Sequence, residues 1–107
     1  MDSKTKQLLG DLKRSLENLL GDQLLGFVLF GSMARGDYDD ESDIDVAIII
    51  RGLTRKLKHR VLDEIAAFEL KHDLPVSALV LSEDEFTRLK KRERRIALDI
   101  EGEGIPL

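Results

Sequence analysis

Asp43 and Asp45 stand one residue apart at the head of a β-branched run, IDVAIII, and Gly31-Ser32 closes an earlier apolar run, LLGFVLF. Transfer of a phosphoryl or nucleotidyl group needs two things from a protein: donors that hold a polyphosphate, and carboxylates that hold divalent metal over the reacting phosphorus. Gly31-Ser32 and Asp43-x-Asp45 are candidates for both. Glycine has no β-carbon, so backbone N–H groups after the first run can approach a phosphate closely, and Ser32 adds a hydroxyl at an expected helix start. Successive side chains of a strand alternate faces, so Asp43 and Asp45 are expected to point the same way while Ile44 and Val46 point into the opposite face. Two parallel carboxylates repel one another unless a cation lies between them, and Mg²⁺ prefers one or two carboxylates completed by substrate phosphate oxygens.

The stretch between the two runs sharpens the signal. Residues 31–45, GSMARGDYDDESDID, hold six carboxylates, with Arg35 as the only base. A lone D-x-D is common in acidic loops and a lone Gly-Ser in turns. Here Gly-Ser ends one strand, Ala-Arg-Gly and an acidic loop follow, and Ser-Asp-Ile-Asp opens the next strand. The alternative, a merely solvated acidic loop, leaves that order unexplained.

The elements that must position these residues follow from periodicity. Leu8, Leu9, Leu12, Leu16, Leu19 and Leu20 recur at helical spacing, with Asp2 or Ser3 as cap and Gly21-Asp22 as stop. Residues 24–30 and 44–50 read as central strands, the second β-branched at nearly every position as in a strand covered on both faces. A second helix is expected from about Thr54 to Lys71. Pro75 then forces an extended entry into the strand 76–81. Ser82 with Glu85 forms a capping box for a third helix carrying Phe86 and Leu89 and continuing past the basic run to Ile96 and Ile100. The order α, β, β, α, β, α predicts an α+β fold, a small mixed sheet of three to four strands with helices packed on it.

Composition bounds the rest. The chain has 107 residues, 42% hydrophobic and 36% charged, a net charge of −4 and no cysteine. That length allows one domain, 1–107, burying roughly 60–70% of the surface of its unfolded chain. Disulfides and thiolate metal sites are excluded, no apolar run approaches the roughly 20 residues that span a bilayer, and a cytoplasmic, non-membrane protein is expected. The negative charge argues against a nucleic-acid binder, and the basic block KKRERR carries no aromatic residue on which bases could stack. There is no Gly-Lys-Ser/Thr phosphate loop and no G-x-G-x-x-G. His59 and His72 lack partners at ligand spacing and read as surface residues, and Tyr38 as a packing residue.

The pattern G-S-x-A-R-G followed by S-D-I-D resembles the minimal nucleotidyltransferases of the polymerase-beta superfamily, the small proteins of the MNT and HEPN toxin–antitoxin pairs. The specific motif covers residues 31–45. The order of elements resembles the family over nearly the whole chain, including the ending EGIPL at 103–107. The resemblance implies that Asp43 and Asp45 coordinate two Mg²⁺ ions, that Gly31, Ser32 and Ser42 hold the triphosphate of ATP or another nucleoside triphosphate, and that Arg35 lies near the phosphates or braces the acidic loop. It further implies transfer of AMP from ATP to a hydroxyl of a partner protein, a HEPN-type toxin, with this chain as antitoxin. One departure stands out. The superfamily usually carries a third carboxylate on a later strand, and VSALVL has none, with Ser77 at the equivalent place. A nucleotide-binding module that neutralises its partner by contact alone is therefore the alternative reading.

Overall fold

The structure, a computed structural model, describes residues 3–31 and 43–107. Helix α1 (Ser3–Leu20) leads through a 3₁₀ turn (Gly21–Gln23) into β1 (Leu24–Phe30). Then come β2 (Ile44–Ile50), α2 (Arg55–His72), β3 (Val76–Ser82), α3 (Glu83–Lys91), α4 (Arg95–Gly102) and a two-residue β4 (Ile105–Pro106). The strands form one mixed sheet in the order β3-β2-β1-β4, with β2 parallel to β3 and antiparallel to β1, and β4 antiparallel to β1. The two strands read as central are the central pair. The fold is α+β, with four helices on a four-stranded mixed sheet among the described residues.

Each face of the sheet has its own core. On one face, Leu9, Leu12, Leu16 and Leu20 of α1 and Val61, Ile65 and Phe68 of α2 pack on Phe27, Leu29, Ile44, Val46, Ile48, Ile50, Val76 and Val80. The helical recurrence of the leucines gives α1 this apolar stripe, and each side chain so buried contributes about 1.5–3 kcal/mol. On the other face, Phe86 of α3 with Ala97 and Ile100 of α4 close over Ala47 and Leu81, flanked by Val28, Phe30, Ile49 and Leu79. Thus β2 is covered on both sides, as its β-branched composition requires. The even positions 44, 46, 48 and 50 face α1 and α2. Ala47 and Ile49 face α3 and α4, so strand alternation assigns Asp45 to their side.

The caps agree with the sequence. Thr54 accepts from the Leu57 N–H at 3.1 Å to start α2. Ser82 accepts from the Glu85 N–H at 3.0 Å while Glu85 accepts from the Ser82 N–H at 3.2 Å, the reciprocal box that starts α3.

One expectation is corrected. The third helix does not run on through the basic block: it ends at Lys91, and α4 is a separate helix. Glu93 takes a left-handed conformation, φ 51°, and the N–H groups of Glu93 and Arg94 donate to Lys90 O at 3.0 Å and Leu89 O at 3.0 Å. These are the two bonds of a Schellman termination, which satisfies carbonyls at the end of α3 and turns the chain. The ending EGIPL, in turn, supplies the fourth strand. A β-carbon at Gly104 would overlap the Ile100 carbonyl oxygen, so only glycine lets the chain pass this close to α4. Ile105 then pairs with Leu29, Leu107 N–H donates to Phe27 O at 2.9 Å, and Lys13 Nζ of α1 donates to Leu107 O at 2.6 Å.

Candidate functional site at the head of strand β2

Three strand ends meet at one end of the sheet: the exit of β1, the entry of β2 and the entry of β3. Antiparallel pairing sets Phe30 against Asp45, and parallel pairing sets Asp45 against Ser77. Ile44 N–H donates to Pro75 O at 3.1 Å, which fixes the entry of β2 beside that of β3. Neighbouring strands lie about 4.8 Å apart, so Asp45 is flanked by Gly31 at the end of one strand and Ser77 at the start of another. Ser77 is exposed, Asp45 half-buried, and Asp43, immediately before the strand, exposed.

Gly31 is where the backbone and the carboxylate meet. Its φ is 71°, a left-handed conformation that side chains other than glycine adopt at a cost. A β-carbon built there would overlap Asp45 Oδ2 and stand 3.1 Å from Cγ and 3.3 Å from Cβ. The glycine is therefore required twice, by dihedral and by space. The Asp45 carboxylate occupies the volume that a side chain at position 31 would fill. Asp45 also has a polar partner of its own, so it is not an orphaned charge.

The site residues expected from sequence divide into two groups. Gly31, Asp43 and Asp45 lie together at this end of the sheet. Ser32, Arg35 and Ser42, with Tyr38, fall outside the described residues. Among the described residues no group of three or more histidine and carboxylate side chains gathers at metal-ligand spacing. The donor set on hand is the Asp43–Asp45 pair, which suits a hard divalent cation that keeps phosphate oxygens and water as its remaining ligands. Sequence reasoning missed Glu69, which reaches from α2 to accept from the Val76 N–H at 3.4 Å. That contact joins a helix to a strand start and has no local signature. His72 is half-buried, its ring 4.7 Å from that of Phe68, on the α1–α2 side of the sheet. No described helix is long and apolar enough to cross a membrane.

Comparison with known proteins bears on this geometry. Residues 9–102 match the nucleotidyltransferase domain family. The chain is 36% identical over 75 residues to the candidate protein adenylyltransferase MJ0141 of Methanocaldococcus jannaschii, an alignment covering 69% of this chain and 76% of that protein. It is 29% identical over 85 residues to MJ1305, a second candidate protein adenylyltransferase of the same organism, covering 76% of this chain and 58% of that protein. A third, MJ0604, is 39% identical over 61 residues, 57% of either chain. The chain thus spans little more than half the length of the latter two. Among solved structures, a candidate nucleotidyltransferase from Sulfolobus solfataricus superimposes with a TM-score of 0.53 over 95% of this chain and 74% of that one, at 23% identity, a likeness of fold.

Proposed function

The chain belongs to the nucleotidyltransferase domain family, and from that premise we propose that it transfers a nucleoside monophosphate, AMP from ATP, to a hydroxyl group of a partner protein. In this reading Asp43 and Asp45 hold Mg²⁺, two ions when the triphosphate is bound. Gly31, Ser32 and Ser42 receive the phosphates, and Arg35 lies against them or braces the acidic loop. The bound metal supplies charge neutralisation along the triphosphate and makes the α-phosphorus more electrophilic. The acceptor oxygen forms a bond to that phosphorus, the bond to the bridging oxygen breaks, pyrophosphate leaves, and the hydroxyl proton passes to a nearby base or water.

The observation that carries the reading is the Asp45 carboxylate seated over the α-carbon of Gly31, with exposed Asp43 two residues upstream of Asp45. This brings a close-approach glycine and a carboxylate pair together, as a metal–triphosphate site requires. Three relatives named as candidate protein adenylyltransferases support a protein acceptor. The resemblance to minimal nucleotidyltransferases supports a HEPN-type toxin as that acceptor, with this chain as its antitoxin. The test is to incubate the protein with Mg²⁺, labelled ATP and a co-encoded HEPN-type partner. The expected result is a mass increase of one or more adenylyl units on the partner, dependent on metal. Absence of any increase with an authentic partner would overturn it.

One observation favours a second reading. Ser77, not a carboxylate, pairs with Asp45 on β3. A site with two carboxylates can hold a metal-nucleotide because the phosphates neutralise much of the metal charge, while lacking a group to deprotonate the acceptor. The chain would then bind nucleotide and neutralise its partner by contact. Nucleotide binding without transfer in the same assay distinguishes the two.

A further inference from the structure

Among the described residues, the outer edge of β3 has no strand partner along its middle and is capped by a carboxylate at each end. Pro75 O accepts from Ile44 N–H, so on β3 the peptide groups of residues 75, 77, 79 and 81 face β2 while those of Val76, Ala78, Val80 and Ser82 face outward. β3 ends the sheet order, and among the described residues no strand pairs with that edge. Its first outward donor, Val76 N–H, is taken by the Glu69 carboxylate, and its last, Ser82 N–H, by the Glu85 carboxylate. Among the described residues the peptide groups of half-buried Ala78 and of Val80, a residue only 5% exposed, take no strand partner, a window flanked by Glu69 and Asp73 at one end and by Glu83, Asp84 and Glu85, with Arg88 beside them, at the other.

Unpaired edges of uncharged, β-branched strands are templates for another strand, and proteins commonly blunt them with charge. Here the charge brackets the window and leaves its centre free. Leu62 adds an apolar flank. It lies two turns before Glu69 on α2, about 10 Å along the helix, and Leu79 lies about 10 Å along β3 from Val76, so the two are level. Leu62 is 39% exposed.

We propose that the outer edge of β3 receives an extended segment of another protein, with uncharged residues opposite Ala78 and Val80 and a lysine or arginine at each end. The carboxylates decide the occupant. A second copy of this chain, paired antiparallel about Leu79, would set Glu69 of each copy against Glu85 of the other, like charges at both ends. A segment with cationic ends meets those carboxylates favourably. Glu69 comes from α2 on one face of the sheet and Glu85 from α3 on the other. The two cations must therefore point to opposite faces, an odd number of residues apart. Docking here is independent of the roles given to Asp43 and Asp45.

The test is amide hydrogen exchange by NMR on the full chain, with and without the capped hexapeptide Lys-Thr-Val-Thr-Val-Lys at millimolar concentration. In the free chain the Ala78 and Val80 amides should exchange faster than those of Ser77, Leu79 and Leu81. The peptide should slow both, and the same peptide with glutamate at its ends should bind at least tenfold more weakly. Ala78→Pro should abolish the protection, since proline removes only an outward donor from an edge strand. The double variant Glu69→Gln, Glu85→Gln keeps the capping oxygens and should erase the preference for lysine ends. No slowing, equal slowing by the glutamate peptide, protection surviving Ala78→Pro, or protection arising from protein concentration alone would each overturn the proposal.

Discussion

The Asp45 carboxylate lies against the α-carbon of Gly31, in the space a β-carbon there would occupy, and the glycine holds φ at 71°. Strand exit and strand entry are locked together by that contact. The turn out of β1 and the placement of the carboxylate on β2 are one structural decision, made by the absence of a side chain at a single position. Whatever binds at this end of the sheet meets a carboxylate whose location depends on a glycine.

Gly31→Ala therefore has two expected effects. The left-handed backbone costs about 1–2 kcal/mol with a β-carbon present, which should appear as a lower denaturant midpoint. The new methyl group also displaces Asp45, and moving a ligand by its support typically weakens metal affinity about 10–100-fold. A Mn²⁺ titration of the variant should show that loss. Unchanged affinity would separate Asp45 from metal binding.

Asp45→Asn keeps the shape that fits over Gly31 and removes the charge. It should fold with an unchanged circular dichroism spectrum, bind Mn²⁺ more weakly than the parent protein, and give no adenylyl transfer. Persistent transfer would remove Asp45 from the metal site. Asp43→Asn should weaken metal binding in the same direction without disturbing the strand, because Asp43 is exposed and precedes it.

Ser77→Asp places a third carboxylate beside Asp45 in the parallel register. Without metal, the added like charge should lower the melting temperature. With Mg²⁺ or Mn²⁺ that loss should reverse, and the apparent affinity for Mn²⁺ should rise by about tenfold, or roughly 1.4 kcal/mol. Melting curves with and without metal read the crossover directly. A variant destabilised equally in both conditions would show that position 77 does not reach the metal.

Much of this was legible in the sequence, and the exceptions share a cause. The leucines of α1, the β-branched run of β2 and the Ser82–Glu85 box are local patterns, set by helix period, strand composition and a three-residue spacing, and each forms the element expected of it. The resemblance to minimal nucleotidyltransferases put Ser77 at the place of a third carboxylate, and the parallel register sets it beside Asp45. The division between α3 and α4 was not legible, because Glu93 adopts a conformation usually marked by glycine or asparagine. Neither β4 nor the Glu69 contact could be foreseen. Ile105 pairs with Leu29 and Glu69 reaches Val76 through the folded chain, and no local pattern encodes either.

The same absence of a glycine signal predicts a gain in stability. Glu93 at φ 51° and Asp73 at φ 49° both hold left-handed conformations after helix ends. Aspartate tolerates that region better than glutamate, since its short side chain can bond to nearby backbone. Glu93→Gly should therefore stabilise the chain more than Asp73→Gly, by about 0.5–1 kcal/mol, because relief of native strain outweighs the extra freedom glycine gives the unfolded chain. For a domain of this size that corresponds to a melting temperature higher by roughly 2–8 °C. Loss of a carboxylate from a strongly basic segment is the competing term. Glu93→Gln keeps the strained backbone and removes the charge, so the difference in melting temperature between the glycine and glutamine variants isolates the conformational contribution, and a glycine variant no more stable than the glutamine variant would contradict it.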